Sequence, residues 1–281
     1  MTAGSAKTTS PPVPAASGSG MIARPRKGAN TEARRDVIAT AIVVVVMIVA
    51  MQIASAYVPD YIMPAPLNVL ESTKELLLND KTHIFVTLAR LAVAVIFSMF
   101  AGIIIGGIMG TVSALRPILR AVIIIDTGIP ALSWMLVAVF WFRDAETRIF
   151  FILTVILLPF YALNVYEGIR ALPRDFVDMV ESFRPTRWQV LRYLIIPHIV
   201  PYIFLTTRSV IGYAIRMAVF AELVASAIGI GSRMSLAQST FHIDRVFAWT
   251  FLLVILNFAL QAGVGALEKI ALKWRPEVEV R

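Results

Sequence analysis

The 281 residues carry a net charge of +8 and are 58% hydrophobic but only 16% charged, against about 45–50% and about 25% for soluble domains. Too little polar surface is left to cover a globule in water, and the absence of cysteine excludes disulfides, thiolate catalysis and cysteine-ligated metals. The basic residues are spread between apolar segments instead of forming a stripe with aromatics, which argues against nucleic acid, and His83, His198 and His242 are too far apart in sequence to make a close-spaced ligand pair.

Residues 1–30, rich in Ser, Thr, Ala, Pro and Gly, read as a disordered cytoplasmic tail with no apolar run of signal-peptide type. Residues 31–281 read as one membrane domain. About 20 apolar residues cross the hydrocarbon core as a helix, and in lipid only helices or closed barrels satisfy every backbone group. The long continuous runs select helices. Six spans are expected, at about 37–57, 84–115, 118–142 with Pro130 inside, 149–166, 197–227 and 246–272. The fold class is therefore an all-α integral membrane protein. Between the first two spans, Pro59, Pro64 and Pro66 precede an amphipathic stretch at 69–78 suited to the membrane surface.

Lys and Arg accumulate in cytoplasmic loops. With the N-terminus inside, one side receives Arg24, Arg26, Lys27, Arg34 and Arg35, then Arg116 and Arg120, then Arg170, Arg174, Arg184, Arg187 and Arg192, and finally Lys269, Lys273 and Arg275. The other side receives only Lys74, Lys81, Arg143, Arg148, Arg233 and Arg245. This asymmetry predicts both termini in the cytoplasm.

The connection at 170–196 is the most informative segment. Phe176, Val180 and Phe183 recur at i, i+4 and i+7, with Arg174, Asp178 and Glu181 on another side, so a short amphipathic helix is predicted. Pro185 should end it at Arg184, because the residue before a proline avoids helical backbone. A second helical stretch over 186–193 starts at Thr186 as N-cap, and Pro197 opens the fifth span. Such a pair of helices either lies on lipid or docks a partner.

The spacing from Asp178 to Pro197 resembles the cytoplasmic loop of binding-protein-dependent ABC permeases, E-A-A-x3-G-x9-I-x-L-P. Asp178-Met179-Val180 stand at E-A-A, Arg184 at the glycine, and Leu194, Ile196 and Pro197 at I, L and P. The Ala-Ala pair and the glycine are replaced, and Arg184-Pro185 can break the helix in the glycine's place. Further likeness to the nitrate, sulfonate, taurine and bicarbonate branch lies in Met63-Pro64-Ala65-Pro66, in Gly102, Gly106, Gly107 and Gly110, and in Ile129-Pro130-Ala131-Leu132. It continues through Thr186-Arg187-Trp188-Gln189, residues 194–202, Arg208, Gly212, Ala221-Glu222 and Gly229-Ile230-Gly231. Arg143 departs from it, standing where the branch commonly has glycine.

The resemblance implies a type I ABC importer permease with coupling helices at about 174–192. Asp175, Asp178, Glu181, Phe183, Arg184, Arg187 and Trp188 would then couple it to an ATPase. The implied partners are a second permease copy, two ATP-binding cassette subunits and an extracytoplasmic solute-binding protein, in a cell inner membrane. No Walker A sequence is present, so no cofactor is expected in this chain, and ATP and Mg belong to the partner ATPase. The branch covers inorganic anions, sulfonates and uncharged heterocycles, and the expected solute here is a small anion such as a sulfonate, nitrate or a carboxylate.

Ionisable groups at membrane depth usually face protein or a water-filled path. Arg208, Arg216 and Glu222 in the fifth span, with Gly212 between them, form a candidate translocation path, and Asp126 lies in the third span. Arg208 and Arg216, eight residues apart, share roughly one helical face. Two readings stand: a cationic lining for an anion, or structural pairing of Arg216 with Glu222 or Asp126. The span glycines should allow close helix packing. An ion-gradient-driven secondary transporter is the alternative reading, but it predicts interrupted spans with mid-depth carboxylates in two matching halves, and a membrane-embedded enzyme predicts a His/Asp/Glu cluster near one face. Neither pattern is evident.

Overall fold

The computed structural model describes residues 29–59 and 62–273, without the side chains of 29–34, 36 and 37. The tail expected over 1–30 lies outside these except for its last two residues, as do Arg24, Arg26, Lys27 and Arg275. The chain divides into two units, 1–50 and 51–281. Within the first, residues 29–50 belong to α1 (Ala29–Tyr57), an apolar helix long enough to cross a membrane.

The second unit is all helical in its described residues. Its order is α2 (Pro66–Asn79), α3 (Lys81–Thr111), α4 (Arg116–Gly128), α5 (Ala131–Trp141), α6 (Ala145–Arg170), α7 (Arg174–Ser182), α8 (Arg187–Val190), α9 (Ile196–Ala225), α10 (Ile230–Ser239) and α11 (Ile243–Ala271). Among the described residues, five helical stretches, α1 included, are long and apolar enough to span a bilayer, and α4 with α5 brings the number to six if that pair counts as one span. The pair is bent by 96°. Pro130 explains the break: it supplies no N–H, and it holds Ile129 extended at φ −85°, ψ 124°. The single third span predicted over 118–142 is thus a broken one.

Parallel packing of α3 on α6 organises the core. Gly102 lies against Tyr161 and Ala162, Gly106 against Ala162 and Val165, and Gly110 against Ile169. A Cβ on Gly106 would stand 2.9 Å from Val165 Cβ, and one on Gly110 would stand 2.7 Å from Ile169 Cδ1. Only a bare backbone allows this approach. Gly107, on another side of α3, has no neighbour there. Antiparallel α9 completes the layer, with the Tyr161 hydroxyl 3.1 Å from Thr207 Oγ1 and Tyr202 against Gly168. Leu91, Ile152, Leu157, Val210 and Ala214 fill the interior. A second cluster around Trp249 and Ile230 joins α2, α9, α10 and α11.

Asp144 starts α6 by accepting from the Thr147 N–H at 2.9 Å, a bond that holds its carboxyl below the usual aspartate range. At the other end of α6, Arg116 and Arg170 both lie over the Tyr166 ring, 5.8 and 5.7 Å from its centroid. The α3–α4 connection and the end of α6 therefore share one face of the bundle, as the charge pattern requires of two loops on one side.

The gap expected between a helix at 186–193 and a span from Pro197 is absent. Leu191–Ile195 form a π turn, and residues 187–225 run on as one 39-residue helical stretch. Pro197 lacks the N–H that an α-helix would use to close its turn, and the π turn shifts the hydrogen-bond register just ahead of it. Also beyond the sequence reading is α10, whose ten residues include Ser232, Arg233, Ser235, Gln238 and Ser239 and so offer no apolar run.

Candidate functional site

The predicted coupling residues sit on a helix–turn–helix whose residues are exposed or half-buried. α7 begins after Pro173 with Asp175 in its first turn, where the helix dipole favours an acid. None of its residues is buried. The apolar side anticipated from Phe176, Val180 and Phe183 does not face the chain's own core: Phe176 is 53% and Phe183 82% exposed, with Met179 beside them at 53% and Trp188 across the turn at 62%. Asp178, Glu181, Arg184 and Arg187 are exposed too, and none of the segment's charges forms an ion pair among the described residues.

The turn is built by Arg184, at φ +49°. Left-handed backbone is the conformation in which glycine has no Cβ penalty, so the arginine adopts what a glycine would supply at that position. Thr186 then caps α8 in a reciprocal box, accepting from Gln189 N at 3.3 Å while its own N–H donates to Gln189 Oε1 at 2.7 Å. Arg184→Gly should leave the unfolding free energy within about 1 kcal/mol of the parent. Arg184→Val, a β-branched residue forced to positive φ, should lose about 1–2 kcal/mol. Thermal unfolding of the purified protein in detergent measures both.

The span residues divide into two groups. Arg208, Gly212 and Arg216 lie along one exposed to half-buried side of α9. Arg208 pairs with Glu268 of α11 at 3.2 Å, and a Cβ on Gly212 would stand 2.9 Å from Asn257 Oδ1. Arg216 donates from Nε to the Gly212 carbonyl at 3.0 Å. Glu222 belongs elsewhere. Six residues past Arg216, it is turned about 120° around the helix and is fully buried. The pairings considered for Arg216 do not form: Glu222 binds Arg90, and Asp126 is half-buried on α4 next to Trp134.

Arg90, Thr87 and Glu146 are the residues that sequence reasoning missed. The Glu222 carboxylate accepts from Thr87 Oγ1 at 2.8 and 2.9 Å, from Arg90 Nη1 at 2.8 Å and from the Gly231 N–H at 3.0 Å. Arg90 also pairs with Glu146 at the start of α6 and donates to the Ile228 carbonyl at 2.7 Å. Four segments, α3, α6, α9 and the α9–α10 connection, are thus tied by one guanidinium. Gly229, at φ +127°, and Gly231 are required because a Cβ on either would strike Glu222. His83 extends the network, lying 3.0 Å from both Gly229 N and Arg233 Nε, and Arg233 pairs with Asp80 at 2.8 Å. One signal was visible beforehand: Arg90 is the sole Asp, Glu, Lys or Arg between residues 82 and 115.

A multi-pass helical bundle with a broken third span and a helix–turn–helix left bare at one end has the make-up of a transport permease. The chain matches the family described as "Binding-protein-dependent transport system inner membrane component" over residues 85–271, and it belongs to that family. It is 29% identical over 198 residues to the taurine transport system permease protein TauC of Escherichia coli (strain K12), covering 70% of this chain and 72% of that one. It is 27% identical over 192 residues to the nitrate import permease protein NrtB of Synechococcus elongatus, covering 64% and 69%. Its fold is that of a chain in the inward-facing MetNI methionine ABC transporter, with a TM-score of 0.58 at 17% identity over 67% of this chain and 94% of that one. The protein is a membrane-spanning permease component of a transport system, as the resemblance implied.

Proposed function

We propose that the chain pairs with a second copy of itself and with two ATP-binding cassette subunits to import a small solute delivered by an extracytoplasmic binding protein. ATP and Mg act on the cassette subunits, and this chain supplies the path and the coupling element. The N-terminus, the C-terminus and the 170–192 connection face the cytoplasm of a cell inner membrane. The solute is a small anion such as a sulfonate, nitrate or a carboxylate, the nitrate and sulfonate groups being in line with what the names of the nitrate and taurine relatives say of those proteins.

The observation that carries this reading is the bare apolar side of α7 and its neighbour Trp188. Large aromatics exposed beside unpaired charges are the composition of a protein interface. A helix pair lying on lipid would keep the aromatics but gain nothing from Asp175, Asp178 and Glu181. Phe183→Ala with Trp188→Ala should remove at least about tenfold of the affinity for the cassette subunit, as truncated aromatic anchors do. Insertion and thermal stability should not change. Co-purification at parental levels would refute docking. Topology is checked with single cysteines at Ser182 and Ser239, both exposed: an impermeant maleimide added to intact cells should label Ser239→Cys and not Ser182→Cys.

A further inference from the structure

Arg216 stands on the exposed side of an apolar, membrane-length helix, and among the described residues it has no carboxylate partner. α9 ends at Ala225, so Arg216 lies about 14 Å, nine residues at 1.5 Å each, from the Glu222 end of the bundle and much farther from Trp188. Its Nε is bound to the carbonyl four residues back, which holds the guanidinium beside Gly212 on the exposed side of α9. Among the described residues it makes no ion pair, whereas Arg208, on the same face, is neutralised by Glu268. Glu222, the nearest acid along the helix, is occupied by Arg90, Thr87 and the Gly231 N–H. With Nε engaged, Arg216 keeps the N–H groups of both terminal nitrogens, a planar fork matching two oxygens of one oxyanion.

We propose that Arg216 is the specificity-determining contact for a singly charged oxyanion on the translocation path, and that Arg208 is not. This rests on the permease reading above. On α9, Arg216 is the arginine that makes no ion pair among the described residues, and one such cation favours monoanions with a carboxylate, sulfonate or nitrate group over uncharged solutes. Gly212 contributes by position: its carbonyl fixes the guanidinium, and its bare Cα lies against Asn257.

The test uses the full complex of permease, cassette subunit and binding protein, expressed in cells lacking the importer. Uptake of labelled nitrate, taurine, methanesulfonate and riboflavin is measured in the parent and in the Arg216→Gln, Arg216→Lys and Arg208→Gln variants. The parent should import at least one of the anionic or sulfonate probes. Arg216→Gln should lose at least about tenfold of that uptake, the loss of a charge-assisted hydrogen bond, while its unfolding midpoint and complex assembly match the parent. Arg216→Lys should retain part of the uptake, and Arg208→Gln most of it. Parental uptake by Arg216→Gln, or uptake by the parent confined to riboflavin, overturns the proposal while leaving the permease reading intact. A fall in midpoint or loss of the permease pair in Arg216→Gln overturns it in favour of an ion pair with the second copy. Failure of the parent to bind the cassette subunit rejects the importer reading, and this proposal with it, whereas a parent that binds it but imports none of the anionic or sulfonate probes overturns this proposal alone.

Discussion

Arg90→Gln is expected to destabilise the protein by about 3–5 kcal/mol, because it strands a buried carboxylate. Glu222 has no exposure, and its charge is balanced by Arg90 Nη1 at 2.8 Å. Removing the guanidinium leaves Thr87 and the Gly231 N–H as neutral donors that cannot supply a counter-charge. Glu146 loses the same partner, but its side chain is 62% exposed and water replaces the bond. The cost is therefore concentrated on Glu222. Adding Glu222→Gln should recover a large part of the loss, since two neutral amides need only hydrogen bonds. Glu146→Gln alone should cost about 1 kcal/mol or less, as for an exposed ion pair. Unfolding midpoints of the four proteins in one detergent give the comparison, and equal losses from Arg90→Gln and Glu146→Gln would refute the assignment of the cost to Glu222.

The second large effect is steric. Gly106→Ala adds one methyl that collides with the Ala162 carbonyl and stands 2.9 Å from Val165 Cβ, on the side where α3 and α6 touch. Neither obstacle is the free end of a flexible side chain, so the helices must separate, at a cost of about 3 kcal/mol, the upper part of the range for overpacking. Gly107→Ala changes the adjacent residue by the same atoms and meets nothing within 4 Å. There alanine's helix propensity should leave stability unchanged or raise it by up to about 1 kcal/mol. The difference between these neighbours, read from thermal unfolding, isolates packing from backbone effects. Equal midpoints would mean that α3 does not lie on α6 through Gly106.

Much of the architecture was legible because lipid demands long apolar runs. The stretches around α3, α6, α9 and α11 stand out from composition alone, and Thr186 marks the start of α8 as expected, whereas Pro130, expected inside one span, breaks it ahead of α5. The turn at Arg184 was legible as a break but not as a left-handed residue, since Pro185 accounts for an end to α7 without requiring positive φ. Pairing was the opaque part. The three acids and bases on α9 are neighbours along the chain, yet Glu222 answers to Arg90, 132 residues away, and Arg208 to Glu268, 60 residues away. Helical spacing says which side of a helix a charge occupies; it does not say which other helix arrives there. Glycines show the same limit, because Gly106 and Gly107 are indistinguishable until α6 is placed against one of them.

The unbroken run from Arg187 to Ala225 makes one mechanical part of two elements that a motif would treat separately. Trp188 and Arg216 lie on the same strut, about 42 Å apart at 1.5 Å per residue. No loop separates the aromatic end from the guanidinium. The strut has one compliant place, the π turn at Leu191–Ile195 followed by Pro197 and Pro201, where backbone hydrogen bonds are shifted or missing. Located nearer the Trp188 end, that joint divides the strut like the wrist of a crank, with Trp188 on a short arm and Arg216 on a long arm braced by α6 and α11.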